Sequence, residues 1–247
     1  MSHIIRTLDR LLDLAVLLIC ALVLAVSGYS LLDNALLYRQ ADDPSVLQYK
    51  PRLDRPLSAP ADRGEAGEGG GEDTRRISEN QVAWICFEDS GVDFPVLQGE
   101  DNFVYLNRDP YGEFSLSGSI FLDCRNAPDF SDPYSVIYGH HMEHGKMFGC
   151  LDRYLDRAFF EAHRTGTLVT GDAVWRCELF AVLHADGSDR ILFRPEGRSA
   201  GQVRAYAEEC AEIYVPPTAE GRVLALSTCH GDTFSSRLLV LGILIVE

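Results

Sequence analysis

Two apolar runs, RVLALSTC (residues 222–229) and RLLVLGILIV (residues 237–246), are joined by HGDTFSS (residues 230–236), and how they pair decides the fold. The first run ends on Cys229. Gly231 and Asp232 follow it as turn signals, so the thiol belongs at a strand end, on a rim and not in mid-core. The second run is almost continuously apolar, which predicts a strand covered on both faces. If the two strands lie side by side, Cys229 and Arg237 emerge at the same edge.

Further out, the same kind of segment recurs at residues 82–87, 94–97, 119–123, 135–139, 167–170 and 174–184. Each is rich in Val, Ile, Leu, Phe or Trp and bounded by Gly, Asp, Asn or Pro, the pattern of a mainly β barrel. Helical periodicity is confined to residues 147–163 and 199–213; in the second, Val203, Tyr206, Ala207, Cys210 and Ile213 fall at helical spacing. The expectation is a barrel with a few flanking helices.

The chain has 247 residues, 46% of them hydrophobic, enough for one sizeable core. Its formal net charge of -15 argues against nucleic acid as a partner, because phosphate binding needs clustered Lys and Arg. Seven cysteines with no C-x-x-C pair exclude a zinc ribbon, and the odd number leaves at least one thiol free.

No charged residue interrupts positions 14–32. A helix of that length nearly covers the roughly 30 Å of a bilayer's hydrocarbon. The run lacks an A-x-A-like exit and continues into more leucines, so it reads as an uncleaved single-pass membrane anchor and not as a secretory signal. Arg6 and Arg10 before it put residues 1–13 in the cytoplasm and the rest of the chain on the extracellular face. Residues 33–50 are expected as a juxtamembrane helix. The Pro-, Gly- and charge-rich stretch up to residue 76 cannot bury enough apolar surface to fold, and reads as a tether. The working domain is then 77–247.

A thiol attacks only as thiolate, so Cys229 needs a base, and a neighbouring imidazole serves both to activate it and to return a proton. His230 is adjacent to Cys229, but consecutive strand residues point to opposite faces. His140 and His141, in VIYGHHMEHGKMF, follow a short strand and precede an expected helix. A metal on His140, His141 and His144 is disfavoured, because the spacing lacks H-E-x-x-H and no matching cysteine or carboxylate set is evident.

Three blocks, VAWICFEDSGVDFPVLQGEDNFVYLNRDPYGEFSLSGSIFLDCRN, VIYGHHMEHGKMFGCLDRY and LALSTCHGDTFSSRLLVLG, together resemble the class B sortases over about residues 80–245. The resemblance implies an eight-stranded β-barrel and a cysteine transpeptidase without cofactor. It gives Cys229 as nucleophile, His140 as acid/base, with His141 its rival, and Arg237 as stabiliser of the oxyanion or substrate backbone. It also implies that Ser227 and Thr228 line the peptide groove, and that residues 186–213 are an insertion forming one groove wall. The implied partners are the sorting-signal peptide (LPxTG- or NPxTN-like) of an exported protein and an amine of the peptidoglycan precursor. Many class B enzymes carry an acidic residue two positions after the nucleophile; here Gly231 stands there, with Asp232 one further on. Two alternatives stay open: a sortase that polymerises pilins, and a membrane-anchored β-barrel module that binds peptide without catalysis.

Overall fold

Strands rich in β-branched and aromatic residues bury alternate positions on opposite faces, so a barrel is built only where both faces find cover. The computed structural model describes residues 2–41, 44–57, 79–230 and 235–246. Two units are distinguished, residues 1–40 and 41–247. The first is helix α1 (Ser2–Ala41), long and apolar enough to cross a membrane, with mean hydropathy 2.6 in its most apolar window. It runs past both ends of the span read from the sequence, and large side chains such as Leu17 and Leu24 stand exposed along it.

The second unit contains β1 (Gln81–Phe87), β2 (Val92–Leu97), β3 (Ile120–Leu122), β4 (Tyr134–Tyr138), the two-residue strands β5 (His141–Met142) and β6 (Lys146–Met147), β7 (Thr165–Thr170), β8 (Val174–Asp186), β9 (Ile213–Tyr214), β10 (Arg222–Cys229) and β11 (Ser236–Val246). Eight strands close a barrel in the order β11, β10, β4, β3, β2, β1, β7, β8, and β8 pairs back to β11. Most neighbours are antiparallel; β2 with β3 and β4 with β10 are parallel. Each long strand predicted from sequence is present within a few residues.

The alternation sorts the core into an inside and an outside. Leu224, Leu226, Leu238, Val240 and Leu244 join the interior with Ile85, Phe148 and Phe160, whereas Val223, Ala225, Leu239, Leu241 and Ile243 pack with Leu192, Val203 and Ala207. The cover on that outer face comes from the segment between β8 and β10. Its helix α3 (Ala200–Cys210) starts at Ser199, whose hydroxyl accepts from Gln202 N at 3.2 Å in a capping box. Tyr134 hydroxyl to Leu192 O, 2.8 Å, ties the segment to the barrel. Both faces of β11 are therefore covered, as its sequence requires. Cys210, expected on the apolar stripe of α3, is exposed.

Two expectations are corrected. The single helix over 147–163 is instead a 3-10 helix (Phe148–Leu155) followed by α2 (Arg157–Ala162). Asp156 between them is extended, and its carboxylate accepts from Phe159 N at 2.7 Å, so it starts a new helix and does not prolong the old one. Met147, expected on that helix, forms β6 with Lys146. Secondly, residues 44–57, read as juxtamembrane helix and tether, pack on the barrel. Val46, Tyr49, Leu53 and Leu57 cover Trp84, Cys86 and Val169, the outward positions of β1 and β7. Leu57 N donates to Thr170 O at 2.9 Å, and Lys50 pairs with Asp93 at 2.6 Å. Four apolar side chains dispersed among prolines and charges are too sparse to read as a pattern, yet they suffice to cover a strand face. The rest of the expected tether, residues 58–76, lies outside the described residues.

Candidate active site

Antiparallel pairing sets Cys229 directly opposite Arg237 across β10 and β11. His230 N bonds Ser236 O at 3.1 Å, so the next pair inward, Cys229 with Arg237, is the non-hydrogen-bonded kind, with Cα atoms about 4.5 Å apart and side chains on one face. On the other side of β10, parallel β4 pairs Tyr138 with Ser227. His140 follows two residues beyond the end of β4, and Cys229 stands two residues beyond Ser227 on β10. By the alternation of Val223, Ala225, Leu239 and Leu241, Cys229 and Arg237 fall on the outer face, the one the insertion covers. Cys229 is exposed, and His140 and Arg237 are half-buried.

Gly139 makes the close approach that this register needs. A Cβ there would meet Ile120 Cδ1 at 2.4 Å and Phe148 Cγ at 2.7 Å. Gly139 N bonds Ser227 O at 3.1 Å, and the Thr228 hydroxyl donates to Gly139 O at 2.9 Å. Ser227 and Thr228, expected to line the groove, are 1% and 2% exposed. Their side chains pack within the strand layer, and that of Thr228 holds the Gly139 carbonyl just before His140.

His140 Nε2 lies 2.8 Å from Leu106 O. A carbonyl only accepts, so Nε2 carries the proton and Nδ1 of the neutral ring keeps the lone pair. His141, the rival base, turns its Nε2 to Asp152 Oδ2 at 2.8 Å instead. Arg237 Nη1 donates to Ser236 O at 3.0 Å. Beside it the exposed Asp186 carboxyl is pulled down to about 2 by hydrogen bonds from Ser188 and Ser235, with a smaller contribution from the Arg237 charge. Gly231 and Asp232 lie outside the described residues.

Sequence reasoning missed a chain of side chains beside the thiol. Glu212, His184, His230, Asp152 and His141 are linked in that order, although they come from five separate places in the chain. The only sequence signal was His230 next to Cys229. The metal set once weighed on His140, His141 and His144 is not the one the fold assembles, since only His141 of the three joins this cluster. The carbonyl of Leu106 and a cleft of about 520 Å³ lined by Asp101, Phe103, Val104, Asn107, Arg108, Gly112 and Phe114 gave no sequence signal either.

A closed eight-stranded barrel with cysteine, histidine and arginine at one rim is the architecture of a sortase-type cysteine transpeptidase. No family model matches the chain. Sortase B of Listeria monocytogenes is 31% identical over 182 residues, covering 71% of this chain and 74% of that protein. Among solved structures, a Streptococcus pyogenes class B sortase involved in pilus biogenesis is 34% identical with a TM-score of 0.63, covering 68% of this chain and 94% of that one. A Staphylococcus aureus sortase B–substrate complex is 26% identical with a TM-score of 0.61, covering 69% and 82%. The chain belongs to the sortase B family.

Proposed function

We propose that this transpeptidase is held at the membrane by residues 14–32, with residues 1–13 in the cytoplasm and the barrel on the extracellular face, and that it joins exported proteins to the cell wall. Cys229 passes its proton to His140 Nδ1, and the thiolate attacks the Thr carbonyl carbon of an LPxTG- or NPxTN-like sorting signal. Arg237 stabilises the negative oxygen that develops. The C–N bond breaks, and His140 gives its proton to the departing amine, leaving a thioacyl-enzyme. An amine of the peptidoglycan precursor then attacks the thioester and yields its proton to His140, and Cys229 leaves as thiolate. The observation that carries this reading is the pairing of Cys229 with Arg237 on β10 and β11, with His140 at the end of the adjacent parallel strand. The substrate complex of the S. aureus relative supports a peptide ligand for the same barrel.

A second reading shares the chemistry and changes the acceptor to a pilin lysine. The S. pyogenes relative, involved in pilus biogenesis, favours it. One experiment addresses both: the full chain in detergent is incubated with fluorogenic LPxTG and NPxTN peptides, with and without peptidoglycan-type or lysine amines, and the enzyme is weighed by mass spectrometry. An acyl adduct is expected in wild type and none in Cys229→Ala. Full turnover by Cys229→Ala would refute the nucleophile, and peptide binding with no adduct would point to a binding module.

A further inference from the structure

We propose that His141, Asp152 and His230 form a binding site for a single Zn²⁺ ion beside the strand end that carries Cys229. Their donor atoms lie within 4.8 Å of one another, drawn from β5, the 3-10 helix 148–155 and the residue after β10. With the rings neutral, the hydrogen bonds assign the lone pairs as follows. Glu212 Oε1, an acceptor, lies 2.5 Å from His184 Nδ1, so that nitrogen carries a proton. His184 Nε2 is then the acceptor of the 2.8 Å bond with His230, and His230 Nδ1 is the donor. The neutral His230 ring is left with its lone pair on Nε2, and that atom faces Asp152 Oδ1 at 3.5 Å.

That distance is too long for a good N–H···O bond. Asp152 Oδ1 is itself buried and accepts no hydrogen bond among the described residues. In that neutral state two lone pairs face each other, an arrangement that repels unless a cation lies between them. Zn²⁺ held at about 2.0–2.1 Å puts tetrahedral ligand atoms about 3.3 Å apart, close to the spacing observed. His141 completes the set. Its Nε2, now 2.8 Å from Asp152 Oδ2, gives up its proton and the ring takes one on Nδ1 instead, so the metal replaces a hydrogen bond without leaving a charged ring. Two imidazoles and one carboxylate suit Zn²⁺ over Mg²⁺ or Ca²⁺, which prefer oxygen. The three side chains are 26–39% exposed, which leaves the fourth position to water.

The Glu212–His184–His230 relay is the kind of support that metal-bound histidines use: the nitrogen away from the metal donates to an acceptor that sets the tautomer and orientation. Occupancy would tie the residue after Cys229 to the 3-10 helix 148–155, a link across the barrel rim that the backbone does not make.

The test uses the purified full chain in detergent, ZnCl2 and CoCl2 as probes, and two readouts independent of catalysis: metal stoichiometry by calorimetry, and Tm. Wild type is expected to bind one equivalent, to gain Tm with Zn²⁺, and to show the visible absorption of tetrahedral Co²⁺. His230→Ala, His141→Ala and the near-isosteric Asp152→Asn should each lose at least tenfold in affinity and the Tm gain. His184→Ala should weaken binding by about 10–100-fold. Cys229→Ala and His144→Ala should bind as wild type does. Circular dichroism of each apo variant separates lost binding from lost folding. No stoichiometric binding by wild type, or binding that survives in Asp152→Asn and His230→Ala but disappears in Cys229→Ala, overturns the site.

Discussion

His140 donates its Nε2–H to the carbonyl oxygen of Leu106 at 2.8 Å, a bond between the exit of β4 and a 3-10 turn that lies 34 residues earlier in the chain. It leaves Nδ1 as the nitrogen that the proposed mechanism uses, and it makes the ring's position depend on a loop that takes no part in the barrel.

Gly118 tests that dependence. Its φ of +61° is left-handed, and a Cβ would lie 2.6 Å from Leu106 O and 3.0 Å from His140 Cδ2. Gly118→Ala should cost on the order of 1–3 kcal/mol in denaturant melts. It should also lower kcat/KM by at least about tenfold, as small displacements of a reacting group do. Unchanged kinetics in a folded variant would detach the ring from this loop.

Thr228 is the second support, acting on His140 through Gly139. Thr228→Val keeps the shape but leaves the buried Gly139 carbonyl without the hydroxyl, a loss of about 1–3 kcal/mol and a fall in kcat with KM little changed. Thr228→Ser, which restores the donor, should recover most of both. Equal kcat in Val and Ser variants would make Thr228 a packing residue alone.

Asp123 links the site to acid stability. Burial opposes its ionisation, but hydrogen bonds from Arg125, with a smaller one from Tyr138, outweigh that and hold the carboxyl below its ordinary value of 3.8. A lowered value means the folded state holds fewer protons than the unfolded one, so this stabilisation is complete above about pH 4 and is lost as pH falls through the folded value. Wild-type Tm should drop below pH 4. Asp123→Asn should be less stable by about 3 kcal/mol near neutrality, with a shallower acid dependence.

The cysteines should divide by reactivity. Burial pushes the Cys150 and Cys177 thiols up to about 12, whereas Cys229 and Cys210 are exposed. Iodoacetamide at pH 8 should alkylate Cys229 and Cys210 and leave Cys150 and Cys177 intact until denaturant is added, as read by peptide mass mapping. Raised thiol values also mean that the unfolded chain loses these protons first. Stability from the two buried thiols is therefore intact below pH 9 and lost as pH rises from 9 towards 12, and Tm should fall over that window.

The barrel was legible because period-two burial and continuous apolar runs are local signals, and β10 with β11 needed nothing else. Cys229 and Arg237 are legible for the same reason, being joined by one short connection. The break at Asp156 went unseen because its cap competes with an otherwise sound helical pattern, and the role of residues 44–57 because it depends on a partner surface more than twenty residues away. The cluster of His141, Asp152, His184, Glu212 and His230 is opaque in sequence for a stronger reason: no spacing rule covers ligands gathered by the closure of a sheet. Ser227 and Thr228 are buried because both faces of β10 find cover, which depends on the segment between β8 and β10 and is not written in the strand itself.

β11 follows every other barrel strand in the sequence, yet it sits between β10 and β8 as the piece that completes the ring. Before β11 docks, the sheet therefore has an open seam between β10 and β8, and Cys229 lacks the Arg237 that pairs with it. Under the mechanism proposed above, competence arrives together with the last seam, and an unfinished molecule has no assembled chemistry with which to modify its neighbours.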